Sequence, residues 1–358
     1  MGVTTRLSTT RALVTALVCA WSLATVAAAS QVQGSISKPS GDRPPTSVLQ
    51  PPTSDPRPPQ DPPKATFHSA VDLVSIAAVV RDHKGRFARN LRQDDFIVEE
   101  GGARREITDF RSDDNAPVRV ALLFDVSGSM RLASRLEDAR QAARQVLSSL
   151  RLVADADEAA VFSFDMNLQS LQPFTADAGA IESALARVLP YGQTSLYDAI
   201  AQTAGQVADT HQGDTRRRAV IVFTDGIDTS SELTPVRVAE IAAAIDVPVY
   251  VMTVVSTVDR DKGSQSELAE APLRTLARAT GGDLFVTSAP AHESLAARQI
   301  VDELRHQYVL AFAASPNAGW HGLTVRTKDR DLTVHARTGY KSGAGTGTDS
   351  YSTRSTRP

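Results

Sequence analysis

The stretch Asp125-Val126-Ser127-Gly128-Ser129 places one carboxylate and two hydroxyls two residues apart, directly after an apolar run. Alternation along the loop puts these three side chains on one side, and Gly128 allows a tight bend there. Carboxylate and hydroxyl oxygens are hard donors of the kind that Mg²⁺ takes in an octahedral shell that retains waters. The stretch is therefore a candidate for holding a small divalent cation.

Three other interpretations of this stretch explain less. A helix cap would account for Ser127 or Ser129, but not for a carboxylate at the end of a strand. A serine nucleophile needs glycine two residues before and after it, and Asp125 and Ser129 occupy those positions around Ser127. A Walker-type phosphate loop ends in Gly-Lys-Ser/Thr, which the stretch lacks. The cation interpretation is the one that uses all three oxygen donors.

Two further segments bring oxygen donors to the ends of predicted elements. The segment "VIVFTDGIDTS" is an apolar strand followed by Asp225, which comes after its strand as Asp125 does. The segment "YGQTSLYDAI" puts Thr194 and Ser195 in a loop that opens a helix. In an open α/β sheet, ligands bind in the crevice outside the carboxyl ends of the strands. We therefore expect the three segments to meet at that edge.

The region that carries these segments, residues 118–300, alternates apolar strands with amphipathic helices. This pattern predicts a mostly parallel sheet with helices on both faces. Only Met166-Asn167 separates the second strand from the third, so we expect a hairpin and one antiparallel edge strand. The predicted strands are 118–125, 158–165, 168–175, 217–225, 247–255 and 282–288, and the predicted helices are 132–151, 177–189, 195–209, 234–245, 267–280 and 292–307.

The segments on either side of this region are rich in predicted strands. Residues 66–117 and 301–342 are each too short to fold alone comfortably, so we expect them to pair with each other. The predicted fold class is α/β: a doubly wound, mostly parallel six-stranded sheet with helices on both faces and one antiparallel edge strand, inserted in a small β-sandwich.

The motifs DVSGS (125–129), GQTSLYDA (192–199) and FTDG (223–226), in this order, resemble a von Willebrand factor type A (VWFA) domain with its metal-ion-dependent adhesion site. Such a domain has a Rossmann-like fold. The resemblance implies that the hydroxyls coordinate the metal, that the aspartates act directly or through water, and that a carboxylate of a partner protein fills the remaining position. The metal residues carried over by position are Asp125, Ser127, Ser129, Thr194 and Asp225, with Gly128 and Gly226 shaping the loops.

Two further aspartates are candidates for supporting the metal without binding it. Asp165 follows another predicted strand, and Asp228 lies in the loop after Asp225. An ordinary turn role is the alternative for Asp165. The flanking β segments, including the stretch Arg337-Thr338-Gly339-Tyr340, resemble those of bacterial exported proteins called "VWFA-related".

The two ends of the chain differ in composition from the rest. Residues 1–29 combine two arginines, an apolar run and a small-residue ending, which predicts a signal peptide. A membrane anchor formed by residues 12–29 is the alternative. Residues 30–65 are predicted to be a Pro-rich disordered linker, and residues 343–358 a disordered tail. We expect export to the periplasm or the cell exterior, with membrane contact only if the first segment is uncleaved.

The composition and motifs together define the expected function. A formal net charge of −3 over 358 residues, without a basic stripe, argues against nucleic acid as a partner. We expect an adhesion-type protein–protein interaction module that binds an Asp or Glu carboxylate of an unidentified protein through Mg²⁺, with Ca²⁺ or Mn²⁺ as alternatives. One alternative function is an envelope protein whose metal only stabilises the fold. A metal-assisted hydrolase is the other, but we expect no enzyme, because the motifs lack a general-base histidine and a nucleophile elbow.

Overall fold

The computed structural model describes residues 73–343, except 114, 154–155, 191, 210–213, 255–262 and 288. The predicted signal peptide and linker, and the predicted tail beyond residue 343, lie outside the described residues. Within the described part of the chain, no helix is long and apolar enough to cross a membrane.

The described chain alternates strands and helices in its middle and has strands on both sides. The strands are β1 (Leu73–Arg81), β2 (Phe96–Glu100), β3 (Ala103–Arg105), β4 (Asp109–Asp113), β5 (Val118–Asp125), β6 (Glu158–Phe164), β7 (Leu168–Thr175), β8 (Arg217–Thr224), β9 (Val249–Val254), β10 (Leu284–Thr287), β11 (Gln307–Ala313), β12 (Gly319–Thr327), β13 (Thr333–Ala336) and β14 (Gly339–Ser342). The helices are α1 (Arg135–Ser149), α2 (Ala178–Arg187), α3 (Leu196–Ala208), α4 (Pro235–Ala244), α5 (Gly263–Ala279) and α6 (Pro290–Arg305).

The middle of the chain forms a six-stranded sheet in the order β10-β9-β8-β5-β6-β7. All neighbouring strands are parallel except β6 and β7, which are antiparallel. The predicted mostly parallel sheet with one antiparallel edge strand is therefore confirmed. β7 pairs with β6 in an irregular register and contains Pro173, and both features suit an edge strand.

Helices cover both faces of this sheet. The side chains of β5 alternate between the two faces, and each face has its own apolar core. Val120, Leu122 and Phe124 pack in a core that includes residues of α1, α2 and α6. Ala121 and Leu123 pack in the opposite core, with residues of α3, α4 and α5. All five side chains are fully buried, so the strand reads as a continuous apolar run. The doubly wound prediction is confirmed.

The register of the central strands places their carboxyl ends side by side at one edge of the sheet. Asp125 at the end of β5 pairs with Phe164 at the end of β6, and Phe124 pairs with Phe223 one residue before the end of β8. The loops that follow these three strands therefore start side by side. We call this side of the sheet the carboxyl edge: residues 126–134, 165–167 and 225–234, together with residues 188–190 and 192–195.

The strands on the two sides of the α/β region pair with each other. They form two antiparallel four-stranded sheets, β13-β1-β11-β4 and β14-β12-β2-β3. Each sheet combines strands from before and after the α/β region, whose chain leaves after β4 and returns at β11. The buried side chains of Ile76, Val98, Leu310 and Tyr340 belong to one core that joins both sheets.

Two predicted helix starts differ from the structure by more than the ~1–2 residues within which helix ends are defined. The helix predicted from 132 begins as a 3₁₀ turn, Gly128–Ser134, and α1 starts at Arg135 because Ser134 takes a left-handed conformation with φ 65°. The helix predicted from 267 starts at Gly263. The predicted domain boundary at residue 300 falls inside α6, which continues to Arg305.

Arg337 ties the last strands to the α/β region. Its guanidinium donates hydrogen bonds to the carbonyl oxygens of Ala243 in α4 and Ser75 in β1, and it lies 3.3 Å from the carboxylate of Asp246. The side chain is buried. We expect Arg337→Gln to lower the free energy of unfolding by about 3 kcal/mol, because it removes several charge-assisted bonds from a buried side chain.

Urea unfolding measures this effect, and a surface arginine provides the control. Arg326 pairs with Glu99 at 2.5 Å with its side chain 53% exposed. Arg326→Gln should therefore cost less than about 1 kcal/mol. Equal losses in the two variants would mean that Arg337 does not hold the two parts of the fold together.

Candidate functional site

The first part of the site is the end of β5 and the 3₁₀ turn that follows it. The fully buried carboxylate of Asp125 accepts hydrogen bonds from the backbone N–H of Ser127 at 2.8 Å and from the hydroxyl of Thr224 at 2.6 Å. The hydroxyls of Ser127 and Ser129 are 2.9 Å apart. Ser127 precedes the 3₁₀ turn, but its side chain makes no capping hydrogen bond. The two serines thus face each other and do not cap a helix.

The second part is the segment that leads into α3. The backbone N–H of Gly128 donates to the carbonyl of Gly192 at 3.1 Å, and the N–H of Ser195 donates to the carbonyl of Asp165 at 2.9 Å. Gly192 has φ +100°, and an added Cβ would lie 3.0 Å from the Asp165 carboxylate. A glycine at 192 therefore lets this segment approach the β6–β7 turn closely.

Thr194 lies buried in this segment and is fixed through its backbone. Its N–H donates to the hydroxyl of Thr229 at 3.1 Å, and its carbonyl accepts from the N–H groups of Thr229 and Ser230 at 3.0 and 2.9 Å. These bonds attach the segment to the loop after β8. They use the backbone of Thr194 and leave its hydroxyl out of the hydrogen bonds that hold the loops together.

The third part is the loop after β8, which begins with Asp225. One carboxylate oxygen of Asp225 accepts a hydrogen bond from the Arg135 guanidinium at 2.7 Å, and the other lies 3.3 Å from the N–H of Ile227. The same guanidinium nitrogen donates to the carbonyl of Ser129 at 3.1 Å. The Arg135 and Asp225 side chains are only 8% and 4% exposed. This buried ion pair connects the loop after β8 to the loop after β5.

Two residues of this arrangement were not predicted from the sequence. They are Thr224, which directly precedes Asp225, and Arg135. For Thr224, the only indication in the sequence was its position directly before Asp225. Arg135 opens a helix, where an arginine is ordinarily solvated, and its burial depends on a carboxylate 90 positions further along the chain.

The two glycines predicted to shape loops behave differently. Gly226 has φ +87°, and its N–H donates to the Thr224 hydroxyl at 3.0 Å, so this position needs a left-handed backbone. Gly128 does not belong to the residues with positive φ, and an added Cβ would meet the carbonyl of Gly192 at an ordinary 3.7 Å. The structure gives no steric reason for glycine at 128, contrary to our expectation.

The two aspartates predicted to support a metal hold loops in place. The Asp165 carboxylate accepts from the N–H of Asn167 at 2.8 Å within the β6–β7 turn. The Asp228 carboxylate accepts from the N–H of Leu196 at 2.8 Å, at the start of α3, and from the hydroxyl of Ser231 at 2.6 Å. The Asp165 carboxylate thus fixes the β6–β7 turn, and the Asp228 carboxylate fixes the start of α3.

The electrostatics of the site are dominated by the buried carboxylate of Asp125. Burial raises its pKa from 3.8 to about 6, the hydrogen bond from Thr224 opposes this shift, and the charge of Asp225 adds to it. Within the described residues, no three His, Cys, Asp or Glu side chains cluster as a metal site. The oxygen donors here are two carboxylates and three hydroxyls, which are hard ligands suited to Mg²⁺, Ca²⁺ or Mn²⁺.

The raised pKa of Asp125 predicts how the stability of the metal-free protein depends on pH. Because the pKa in the folded state lies above the unfolded value, Asp125 contributes stability that is complete below pH 3.8 and is lost as the pH rises through about 6. We expect the loss to be about 3 kcal/mol. Acids with a lowered pKa, such as Glu137 and Asp214, follow the opposite trend, so the effect must be isolated by comparison with Asp125→Asn.

The measurement is urea unfolding in EDTA of wild type and Asp125→Asn at several pH values. The free energy of unfolding of wild type, relative to the variant, should fall between about pH 4 and pH 7.5. A constant difference across this range would mean that Asp125 does not carry a desolvated charge.

Comparison with known proteins agrees with the topology and the motif positions. The family model described as "von Willebrand factor type A domain" matches residues 120–227, a range that contains all five predicted metal residues. The Thrombospondin-related anonymous protein of Plasmodium falciparum is 31% identical over 124 residues, which are 32% of this chain. The match spans only 22% of that protein's length.

Solved structures with low sequence identity are similar over about half of the chain. BatB from Bacteroides thetaiotaomicron is 21% identical with a TM-score of 0.41, covering 52% of this chain and 98% of that one. Proximal thread matrix protein 1 from the mussel byssus, in a form with a zinc-occupied MIDAS motif, is 16% identical with a TM-score of 0.41, covering 57% and 49%. The assignment therefore rests on the family match: this chain contains a von Willebrand factor type A domain.

Proposed function

We propose that this domain binds a divalent metal ion at the carboxyl edge and uses it to bind a partner protein. The residues that would hold the ion are Asp125, Ser127, Ser129, Thr194 and Asp225. Mg²⁺ is the proposed ion, with Ca²⁺ or Mn²⁺ as alternatives. The observation that carries the proposal is the fully buried Asp125 carboxylate, with its raised pKa, next to a pair of serine hydroxyls that face each other.

The spacing of the serine hydroxyls supports a small octahedral ion. Adjacent ligands of such an ion at ~2.1 Å lie about 3.0 Å from each other. The oxygens of Ser127 and Ser129 are 2.9 Å apart, so both can bind one ion from nearly their present positions. The same distance suits the hydrogen bond that they form with each other, which an ion would replace.

The charge of the site also supports a cation. A buried carboxylate without a positive partner is costly. The Asp125 carboxylate has hydrogen bonds from Ser127 and Thr224, and the guanidinium of Arg135 is bound to Asp225 instead. Because Arg135 takes one oxygen of Asp225, the other oxygen is the one left for the ion or for its water. Two carboxylates and one guanidinium give the site a charge of −1, which a divalent ion would change to +1.

A bound ion would supply an uncompensated positive charge at an open position. Five protein oxygens do not complete an octahedral shell, so one position is left for a ligand from outside. The ligand that matches this charge and hardness is an Asp or Glu carboxylate of a partner protein. We propose an adhesion-type module in an exported protein, in keeping with the VWFA domain it contains.

We propose a binding role and not a catalytic one. The base that contacts the Ser127 hydroxyl is the Asp125 carboxylate, which would bind the proposed ion and so would not be free to activate a serine as a nucleophile. A metal that only stabilises the fold is the second candidate function. It is favoured by the loop contacts at Gly128, Gly192 and Thr194, which a bound ion would reinforce.

The experiment selects peptides from a displayed library with a fixed Asp or Glu between random residues, using the full chain loaded with Mg²⁺. Binding of the selected peptides should weaken at least about tenfold in EDTA. A similar loss is expected when the acid of the peptide is replaced by its amide, and when the protein carries Thr194→Val. Thr203→Val, a buried threonine in α3 whose hydroxyl donates to Ala199, is the matched control and should bind normally. Binding that is unchanged in EDTA would contradict the proposal.

A further inference from the structure

Large apolar side chains are exposed in every loop that surrounds the candidate metal site. Leu132 is 59% exposed, Met166 58%, Leu189 68% and Ile227 47%. They lie after β5, in the β6–β7 turn, after α2 and after β8, respectively. We call these four residues the apolar rim. The described residues contain ten exposed large apolar side chains, so four of the ten belong to these short loops.

Contacts between the loops hold the apolar rim around the site. Arg131, next to Leu132, donates two hydrogen bonds to the carbonyl of Pro190, which follows Leu189. Gly192 packs against Asp165, which precedes Met166. These bonds keep the rim residues at the same edge as the proposed ion.

Ile227 is attached to the site on its other side. Its N–H lies 3.3 Å from the carboxylate of Asp225, which Arg135 ties to the carbonyl of Ser129. The rim residues therefore come from loops that are connected to each other. Three of these loops carry a proposed metal ligand, and the β6–β7 turn contacts Ser195, which follows the proposed ligand Thr194.

The rim combines apolar area with positive charge. The proposed ion would give the site a charge of +1, and the exposed guanidinium of Arg131 lies in the same loop as Leu132. Apolar surface around a positive centre matches a carboxylate that has apolar neighbours of its own. A polar acidic segment would leave the rim in water and lose the contribution of apolar burial.

We infer that the partner presents one Asp or Glu flanked by bulky apolar residues, which the apolar rim contacts while the acid reaches the ion. This inference rests on the proposed function. It specifies the partner's sequence chemistry: an acid with Leu, Ile, Val, Phe or Met beside it. The acid supplies dependence on the metal, and the apolar neighbours supply selectivity among acidic segments.

The test uses the acid-centred peptide library with the full chain in Mg²⁺. The selected peptides should carry bulky apolar residues next to the acid. The double variant Leu132→Ser/Ile227→Ser should bind them about a hundredfold more weakly, because each truncation removes burial equivalent to roughly a tenfold change. Its Mg²⁺ affinity should stay unchanged. Val153→Ser, at a 61% exposed apolar residue between α1 and β6, is the matched control and should bind as wild type does.

The outcomes separate this inference from the proposed function. Selected peptides that need the acid and Mg²⁺ but have no apolar preference, or that bind the double variant with unchanged affinity, would overturn the inference alone. Peptides that bind equally in EDTA would contradict the proposed function itself. Adsorption to phosphatidylcholine vesicles in EDTA that is lost in the double variant would assign the rim to a lipid surface and also overturn the inference.

Discussion

Asp125→Asn is expected to abolish Mg²⁺ binding and, at the same time, to stabilise the metal-free protein. The carboxylate is fully buried and its pKa is raised to about 6, so at pH 7.5 the metal-free fold carries a desolvated charge. Removing that charge should raise the free energy of unfolding in EDTA by up to about 3 kcal/mol. Loss of a charged ligand should weaken Mg²⁺ binding by at least about a hundredfold, since loss of groups that only support ligands costs about 10- to 100-fold.

Calorimetric titration with Mg²⁺ and urea unfolding in EDTA measure the two effects. Asp198→Asn is the matched control, because the Asp198 carboxylate accepts hydrogen bonds from the N–H groups of Glu232 and Leu233 at 2.9 Å and is not a proposed ligand. The control should lose about 1 kcal/mol of stability and bind Mg²⁺ normally. Destabilisation of metal-free Asp125→Asn with unchanged Mg²⁺ affinity would contradict the assignment of Asp125 as a ligand.

Arg135→Gln is expected to destabilise the metal-free protein strongly and the Mg²⁺-bound protein much less. Arg135 and Asp225 form a buried ion pair at 2.7 Å. Removal of one partner leaves the other charge buried, at a cost of about 3–5 kcal/mol. Mg²⁺ should recover at least half of this loss, because the ion replaces the missing positive charge beside Asp225 and its affinity rises when the guanidinium is absent.

Unfolding in EDTA and in saturating Mg²⁺ gives the two losses, and Arg144→Gln provides the comparison. Arg144 lies on the same helix and pairs with Glu137 and Glu182 near the surface, where its side chain is 37% exposed. That substitution should cost less than about 1 kcal/mol, with or without the ion. An equal loss in EDTA and Mg²⁺ for Arg135→Gln would show that the guanidinium is not coupled to the ion.

The sequence predicted the elements of the sheet well, because burial on both faces leaves a continuous apolar run. The strands predicted at 118–125 and 168–175 have the bounds of β5 and β7. The start of the helix predicted at 132 was wrong because tertiary contacts decide that segment. Its backbone is held by Gly192 and Arg135, and the left-handed Ser134 separates the 3₁₀ turn from α1.

The candidate site could be predicted in part, because two of its residues directly follow recognisable apolar strands. Asp125 and Asp225 follow apolar strands, so their meeting follows from the parallel sheet, and the hydrogen bond from Thr224 to Asp125 joins these two strand ends. The role of Arg135 could not be predicted, since an arginine in the first turn of a helix gives no sign of its distant partner. The hydrogen bond that the Asp228 carboxylate accepts from Leu196 at the start of α3 likewise depends on a contact between separate loops.

The most direct test of the central claim is an anomalous difference map from crystals of this protein soaked in Mn²⁺. We expect one strong peak at the carboxyl edge, within about 2.5 Å of the Ser127 and Ser129 hydroxyls and beside the Asp125 carboxylate, that disappears in crystals of Asp125→Asn. The absence of a peak there in wild-type crystals, or peaks only at other surface carboxylates, would contradict the claim that this edge holds a divalent ion.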